Sequence, residues 1–165
     1  PCKCRMAGEP GHVCRGGPRC ATDYQGRISG PLLDRLDIQI ELPAVKASDL
    51  TLPASKEGSA ETALRVAQAK AIQRERFSKL GQPQIRTNAG ADGSLLEKIA
   101  TPDAPGLNLL REAADAMSLS ARGYHRVLRV ARTLADLDGK EGVARLHIAE
   151  ALSYRQRLAS FRAAA

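Results

Sequence analysis

The stretch SARGYHRVLRVARTLADLDG, residues 120–139, decides how the rest of this chain is read. Ser120 is a helix-capping residue type, Asp138-Gly139 is a stop, and the apolar residues between them recur at helical spacing. Val127, Val130, Ala131 and Leu134 fall on one side, with Arg122, Arg126 and Arg129, at i, i+4 and i+7, roughly opposite. The pattern predicts a helix that buries one face and turns a guanidinium stripe toward solvent or an anion. From residue 119 onward there are nine Lys or Arg against four Asp or Glu, so this end carries most of the net charge of +7. That balance favours nucleic acid over a membrane surface as a partner, although basic charge also serves solubility alone.

Outward from this helix the pattern stays helical. Ser59 can cap a helix with Glu61 in its first turn, placing Leu64, Ala67, Ala71 and Ile72 near one face before Gly81 and Pro83 stop it. Residues 84–94, containing NAGADG, read as loop. Leu95 to Ile99 form a short helix broken by Pro102 and Pro105, LNLLREAADAM supplies another at 107–117, and a last helix runs from about Val143 to Phe161. His125 and His147 lie within amphipathic patterns and read as packing or surface residues. A chain of 165 residues with 43% hydrophobic and only 3% aromatic residues must build its core from Leu, Ile, Val and Ala, a mixture that favours packed helices. No stretch reaches the roughly 18–20 apolar residues that cross a bilayer, and no basic-then-apolar leader is visible, so the chain reads as cytoplasmic.

The N-terminal end has a different character. All four cysteines, Cys2, Cys4, Cys14 and Cys20, fall within PCKCRMAGEPGHVCRGGPRC. Residues 1–26 are rich in Gly, Pro, Cys and Arg without periodicity and read as a loop held by something other than a hydrophobic core. Four thiolates satisfy tetrahedral zinc and leave no open position, so a C-x-C-x9-C-x5-C spacing points to a structural Zn2+ site. Free thiols or redox chemistry are the alternatives, and His12 could replace one cysteine. In RISGPLLDRLDIQIELPAV, residues 27–45, LLDRL reads as a helical turn and Asp37 to Leu42 alternates polar with apolar, a strand signal ended by Pro43. No second convincing strand accompanies it. There is no G-x-x-x-x-G-K-[ST] phosphate loop, G-x-S-x-G or H-E-x-x-H, and Gly139-Lys140 is followed by Glu141, so the chain alone is not expected to hydrolyse a nucleotide. Lacking an initiator Met and opening inside the cysteine cluster, it reads as a piece of a larger protein.

Taken together, RISGPLLDRLDIQIELPAV, GSAETALRVAQAKAIQRERF, LSARGYHRVLRVARTLADL and LHIAEALSYR resemble, in order and over nearly the whole chain, the C-terminal part of Mg-chelatase-like AAA+ ATPases of the ComM/YifB type. The resemblance implies a mainly α fold, a helical lid bundle preceded by a cysteine-rich loop and one strand from an α/β core. Residues 1–50 would end that core and residues 51–165 would form the lid. ATP and Mg2+ are the implied cofactors. Arg35 resembles the arginine finger that one subunit points into its neighbour's ATP site, with Arg27 a second candidate and a surface ion pair to Asp34 or Asp37 the structural alternative. Arg122 resembles sensor 2, which reaches the nucleotide of its own subunit from a helix N-terminus, and Arg129 matches a further recurrent arginine with a nucleotide or packing role. Many relatives carry a cysteine two positions after the one matching Cys14, where this chain has Gly16. The family implies a ring, expected as a hexamer, acting on DNA in branch migration or helicase-type work. The motor subunit of a magnesium chelatase and a zinc-stabilised nucleic-acid-binding module without motor role are the competing readings.

Overall fold

The helical periodicity is realised in a computed structural model that describes residues 16–17, 19–40, 42, 45, 47–53 and 57–155. The helices are α1 (Cys20–Gln25), α2 (Gly30–Leu33), α3 (Ser59–Lys79), α4 (Gly93–Ala100), α5 (Ala104–Ala116), α6 (Ala121–Leu137) and α7 (Arg145–Ser153). Short 3-10 turns cover Ala47–Thr51 and Asn88–Gly90. The described residues fall into two units, one of residues 16–36 and 40–52, the other of residues 37–39 and 53–155. In the first, α1 and α2 are short, and Ile28, Leu32, Ile40, Leu42, Leu50 and Leu52 are exposed.

Two expectations for the N-terminal end are corrected. Residues 20–25 are helical rather than loop, with Asp23 N donating to Arg19 O at 2.8 Å; fewer than two turns are too short to show a period. The expected strand at 37–42 does not form among its described residues. Ile38, Ile40 and Leu42 are 52%, 64% and 85% exposed, and no described neighbour offers a ladder for the alternation to pair with. Among the described residues, the one bridge outside helices is a parallel contact of Pro102 with Val143.

The second unit is a bundle around α6, which packs against α3, α4 and α7 while α7 also packs against α5. Phe77, Leu96, Leu110, Val127, Ala131 and Ile148 are fully buried in one shared core. Local chemistry sets the helix ends. Asp103 Oδ1 accepts from Gly106 N at 2.8 Å to start α5, and Ser120 Oγ accepts from Gly123 N at 3.0 Å to start α6. At the end of α6, Gly139 N donates to Asp136 O and Lys140 N to Ala135 O, a paired closure that needs the left-handed φ of +64° at Gly139. Gly106 lets two helix starts meet, since a Cβ there would lie 2.7 Å from Asp103 Oδ1 and 3.2 Å from Arg145 N.

Helix α3 buries a different face from the one its apolar spacing suggested. Residues 59–68 are all exposed, Leu64 at 62%, whereas Ala69, Gln73 and Phe77 are buried. Polar residues occupy that inner face because a hydrogen-bonded network waits for them. The last helix is also shorter than expected: it stops at Ser153, Tyr154 and Arg155 form a turn, and residues 156–161 lie outside the described residues.

At the centre of the network is Asp136, whose side chain is fully buried. Arg132 donates to it from Nε at 3.1 Å and Nη2 at 2.9 Å, Asn88 Nδ2 at 2.8 Å, and Arg76 from both terminal nitrogens, Nη1 at 3.0 Å. Arg132 continues to Lys140 O and Glu141 O, each at 2.6 Å, while Asn88 N donates to Gln73 Oε1 at 3.2 Å. Burial pulls the Arg132 guanidinium below its usual pKa, and the charge of Asp136 opposes that pull. Removing one partner of a buried ionic network strands the other charge, which costs about 3–5 kcal/mol. Asp136→Ala is therefore expected to lower stability by about that amount, seen as a reduced urea midpoint, whereas Leu64→Ala should stay within about 0.5 kcal/mol of the parent.

Candidate functional site

Three arginines share the outward side of α6, yet their surroundings separate them. Arg129 Nε donates to Ala91 O at 3.0 Å, and its Nη2 pairs with Asp92, the residue that precedes α4. Arg129 thus ties α6 to the start of α4. Arg126 pairs through Nη1 with Asp37 and is only 17% exposed at its side chain. Its Nε is buried and has no hydrogen-bond partner among the described residues.

Arg122 is the exception. It is exposed at the second position of α6, beside the Ser120 cap, and no ion pair or hydrogen bond engages its guanidinium among the described residues. The first-turn N–H groups and the helix dipole add positive potential at the same end. An anion meeting this end of α6 would find one uncommitted guanidinium on a capped helix. The other end of the helix is anchored through Asp136, four turns further on, in the buried network.

The other sequence-derived candidates are distributed as follows. Arg35 lies just after α2 and is exposed; its N–H donates to Leu32 O at 3.0 Å, and no described carboxylate pairs with its guanidinium. The alternative partner Asp37 is paired with Arg126 instead. Arg27 is exposed. Cys20 opens α1 as a partly buried free thiol, while Cys2, Cys4 and Cys14 lie outside the described residues. No group of three or more His, Cys, Asp or Glu able to hold a metal occurs among the described residues. His147 is a packing residue: its Nδ1 accepts from Ala144 N at 2.9 Å, so Nε2 carries the proton toward Asp138 Oδ2 at 3.1 Å. No described helix is long and apolar enough to cross a membrane.

Sequence reasoning found the arginine stripe but missed the acids that consume two of its members. Asp37 and Asp92 are 89 and 37 residues away from their partners, and no local spacing announces such pairs. The Arg132–Asp136 pair was missed as well, although a signal was there: i and i+4 charges on the face otherwise filled by Val and Ala.

Known proteins show the same order of segments. Residues 56–155 match the family profile described as magnesium chelatase, subunit ChlI C-terminal, and residues 1–50 match that described as magnesium chelatase, subunit ChlI. The chain is 36% identical over 156 residues to protein Rv2897c of Mycobacterium tuberculosis, covering 94% of this chain and 30% of that protein. It is 35% identical over 142 residues to Competence protein ComM of Haemophilus influenzae, covering 86% and 26%, and 33% identical over 150 residues to YifB of Escherichia coli, covering 88% and 28%. The chain belongs to the magnesium chelatase ChlI family, with ComM and YifB among its relatives, and spans under a third of the length of each.

The different burdens of the arginines give a stability test. Arg129→Ala should cost about 1 kcal/mol, since a charged hydrogen bond to Ala91 O is lost while the exposed Asp92 pair adds little. Arg122→Ala should change stability by less than about 0.5 kcal/mol. Thermal or urea unfolding of the two variants checks the contrast.

Proposed function

We propose that this chain is the lid and adjoining core end of an ATP-driven ring motor of the AAA+ type, with Arg122 as sensor 2 and Arg35 as arginine finger. The observation that carries the reading is the uncommitted guanidinium of Arg122 on the capped N-terminus of α6, on an arginine stripe whose other two members are spent on internal pairs. In this role Arg122 contacts the γ-phosphate of ATP held by its own subunit and closes the lid over it. Arg129 positions the helix from behind by holding it to α4. Arg35 neutralises charge developing on the phosphate of a neighbouring subunit, work that suits a guanidinium because it stays charged and can form two parallel hydrogen bonds. Mg2+ would be held with the triphosphate by other segments of the protein.

The motor's substrate in this proposal is DNA, in branch migration or helicase-type movement by a ring, a hexamer in the simplest arrangement. Support comes from the net charge of +7 and from the relative whose name is Competence protein ComM. The family description itself favours one second reading, the motor subunit that drives magnesium insertion into a porphyrin. Porphyrin-dependent rather than DNA-dependent stimulation of ATP turnover in the intact protein would select it. The proposal also includes a structural zinc on Cys2, Cys4, Cys14 and Cys20, since four thiolates complete a tetrahedral shell. One equivalent of zinc in the purified protein, lost in Cys20→Ser, is the expected result of elemental analysis; metal-free protein would remove zinc from the account.

The motor reading is tested by mixing. In the intact protein, Arg35→Ala and Arg122→Ala are each expected to lower ATP turnover, the finger variant by about 10³-fold or more. Because one arginine acts across the subunit interface and the other within its own subunit, mixed rings of the two variants should regain part of the activity. Unchanged turnover in both single variants would leave a nucleic-acid-binding module without motor role.

A further inference from the structure

Asp37 and Gln39 form a second set of ties to the lid. Asp37 pairs with Arg126 Nη1, and two residues later Gln39 N donates to Tyr154 O at 3.0 Å in the turn that ends α7. Both residues belong to the lid unit although the sequence on either side of them does not. Arg126 stands one helical turn beyond Arg122 on the same side of α6. Asp37 follows Arg35 by two residues.

We infer that Asp37 and Arg126 form a latch that fastens residues 37–39 to the helix that carries Arg122, making both positioning residues for Arg122 in the proposed nucleotide site. The inference rests on the sensor role proposed above for Arg122. Three features support a latch rather than an incidental surface pair. Arg126 is largely buried, and its Nε is without a partner among the described residues, so losing Asp37 would leave a desolvated guanidinium with no carboxylate. A backbone bond from Gln39 N to Tyr154 O holds the same short segment, so its amide reports whether the latch is fastened. Asp37 remains 46% exposed, so water competes for it and the tie can open. A pair of this kind favours the fastened state by only several-fold, a bias that lid closure over a nucleotide can reinforce or oppose.

The test uses the intact protein and two readouts. Asp37→Ala and Arg126→Ala should each raise the exchange rate of the Gln39 amide at least several-fold and lower kcat for ATP hydrolysis several-fold, with little change in the KM for ATP. The charge-reversed double variant Asp37→Arg/Arg126→Asp should restore both, which a merely structural role for either residue would not predict. Gln39 protection that survives both single variants overturns the latch. So does a kcat that stays at the parent value in both while Arg122→Ala lowers it. If Arg122→Ala and Arg35→Ala also leave turnover unchanged, the motor reading fails, and the latch's positioning role falls with it even if Gln39 exchange behaves as expected.

Discussion

One buried carboxylate organises the lid. Asp136 cannot leave water without partners, because an isolated charge in a protein interior is far more costly than the fold can bear. It accepts hydrogen bonds from Arg132, Arg76 and Asn88, and each donor comes with structure attached. Arg76 brings α3, Asn88 brings the 3-10 turn ahead of α4, and Arg132 extends to the carbonyls of Lys140 and Glu141 in the loop before α7. Hydrophobic contacts among Phe77, Leu96, Val127 and Ile148 supply the driving force, but they do not by themselves specify how α3 is rotated. The network adds a polar match on the face that Ala69 and Phe77 also bury, where α3 places Gln73 and Arg76; Leu64 lies in residues 59–68, all of which are exposed.

The arginines of α6 follow from that anchor. Arg132 is consumed in the buried centre, Arg129 at the start of α4 and Arg126 by Asp37, the last two both mostly buried, which leaves only Arg122 of the four exposed. Arg122 is the last of the series and the exposed one. A helix whose far end is locked by a buried ionic network holds its near end in a defined place without further contacts there. This arrangement suits an arginine that must meet a ligand rather than a neighbour, and in the proposed motor it also gives lid movement something stiff to act through.

Much of this was legible in the sequence, for physical reasons. The cap at Ser120, the stop at Asp138-Gly139 and the stop at Gly81 are local devices, and each ends its helix where the chemistry demands. The helical class followed from the apolar periodicity and scarcity of aromatic residues, and the family from four long segments in order. What could not be read was long-range. The buried face of α3 was assigned from its apolar residues, yet a distant carboxylate drew its polar ones inward. The alternation at 37–42 looked like a strand because period two reports two-faced burial, but a strand exists only with a neighbour, and these residues have Tyr154 and Arg126 instead. The exposed state of Arg122 against the engaged state of Arg129 depends on Asp92 and Ala91, which no spacing rule connects to α6.

The central claim is that Arg122 is the open member of a set of otherwise committed arginines. Its most direct test is the nitrogen resonance and hydrogen exchange of each arginine Nε–H in the intact protein, followed as a non-hydrolysable ATP analogue is added. Before addition, the Arg129 proton, bonded to Ala91 O, should exchange slowly and that of Arg122 rapidly; afterwards the Arg122 signal alone should shift and slow. A response at Arg129 with none at Arg122 would contradict the account.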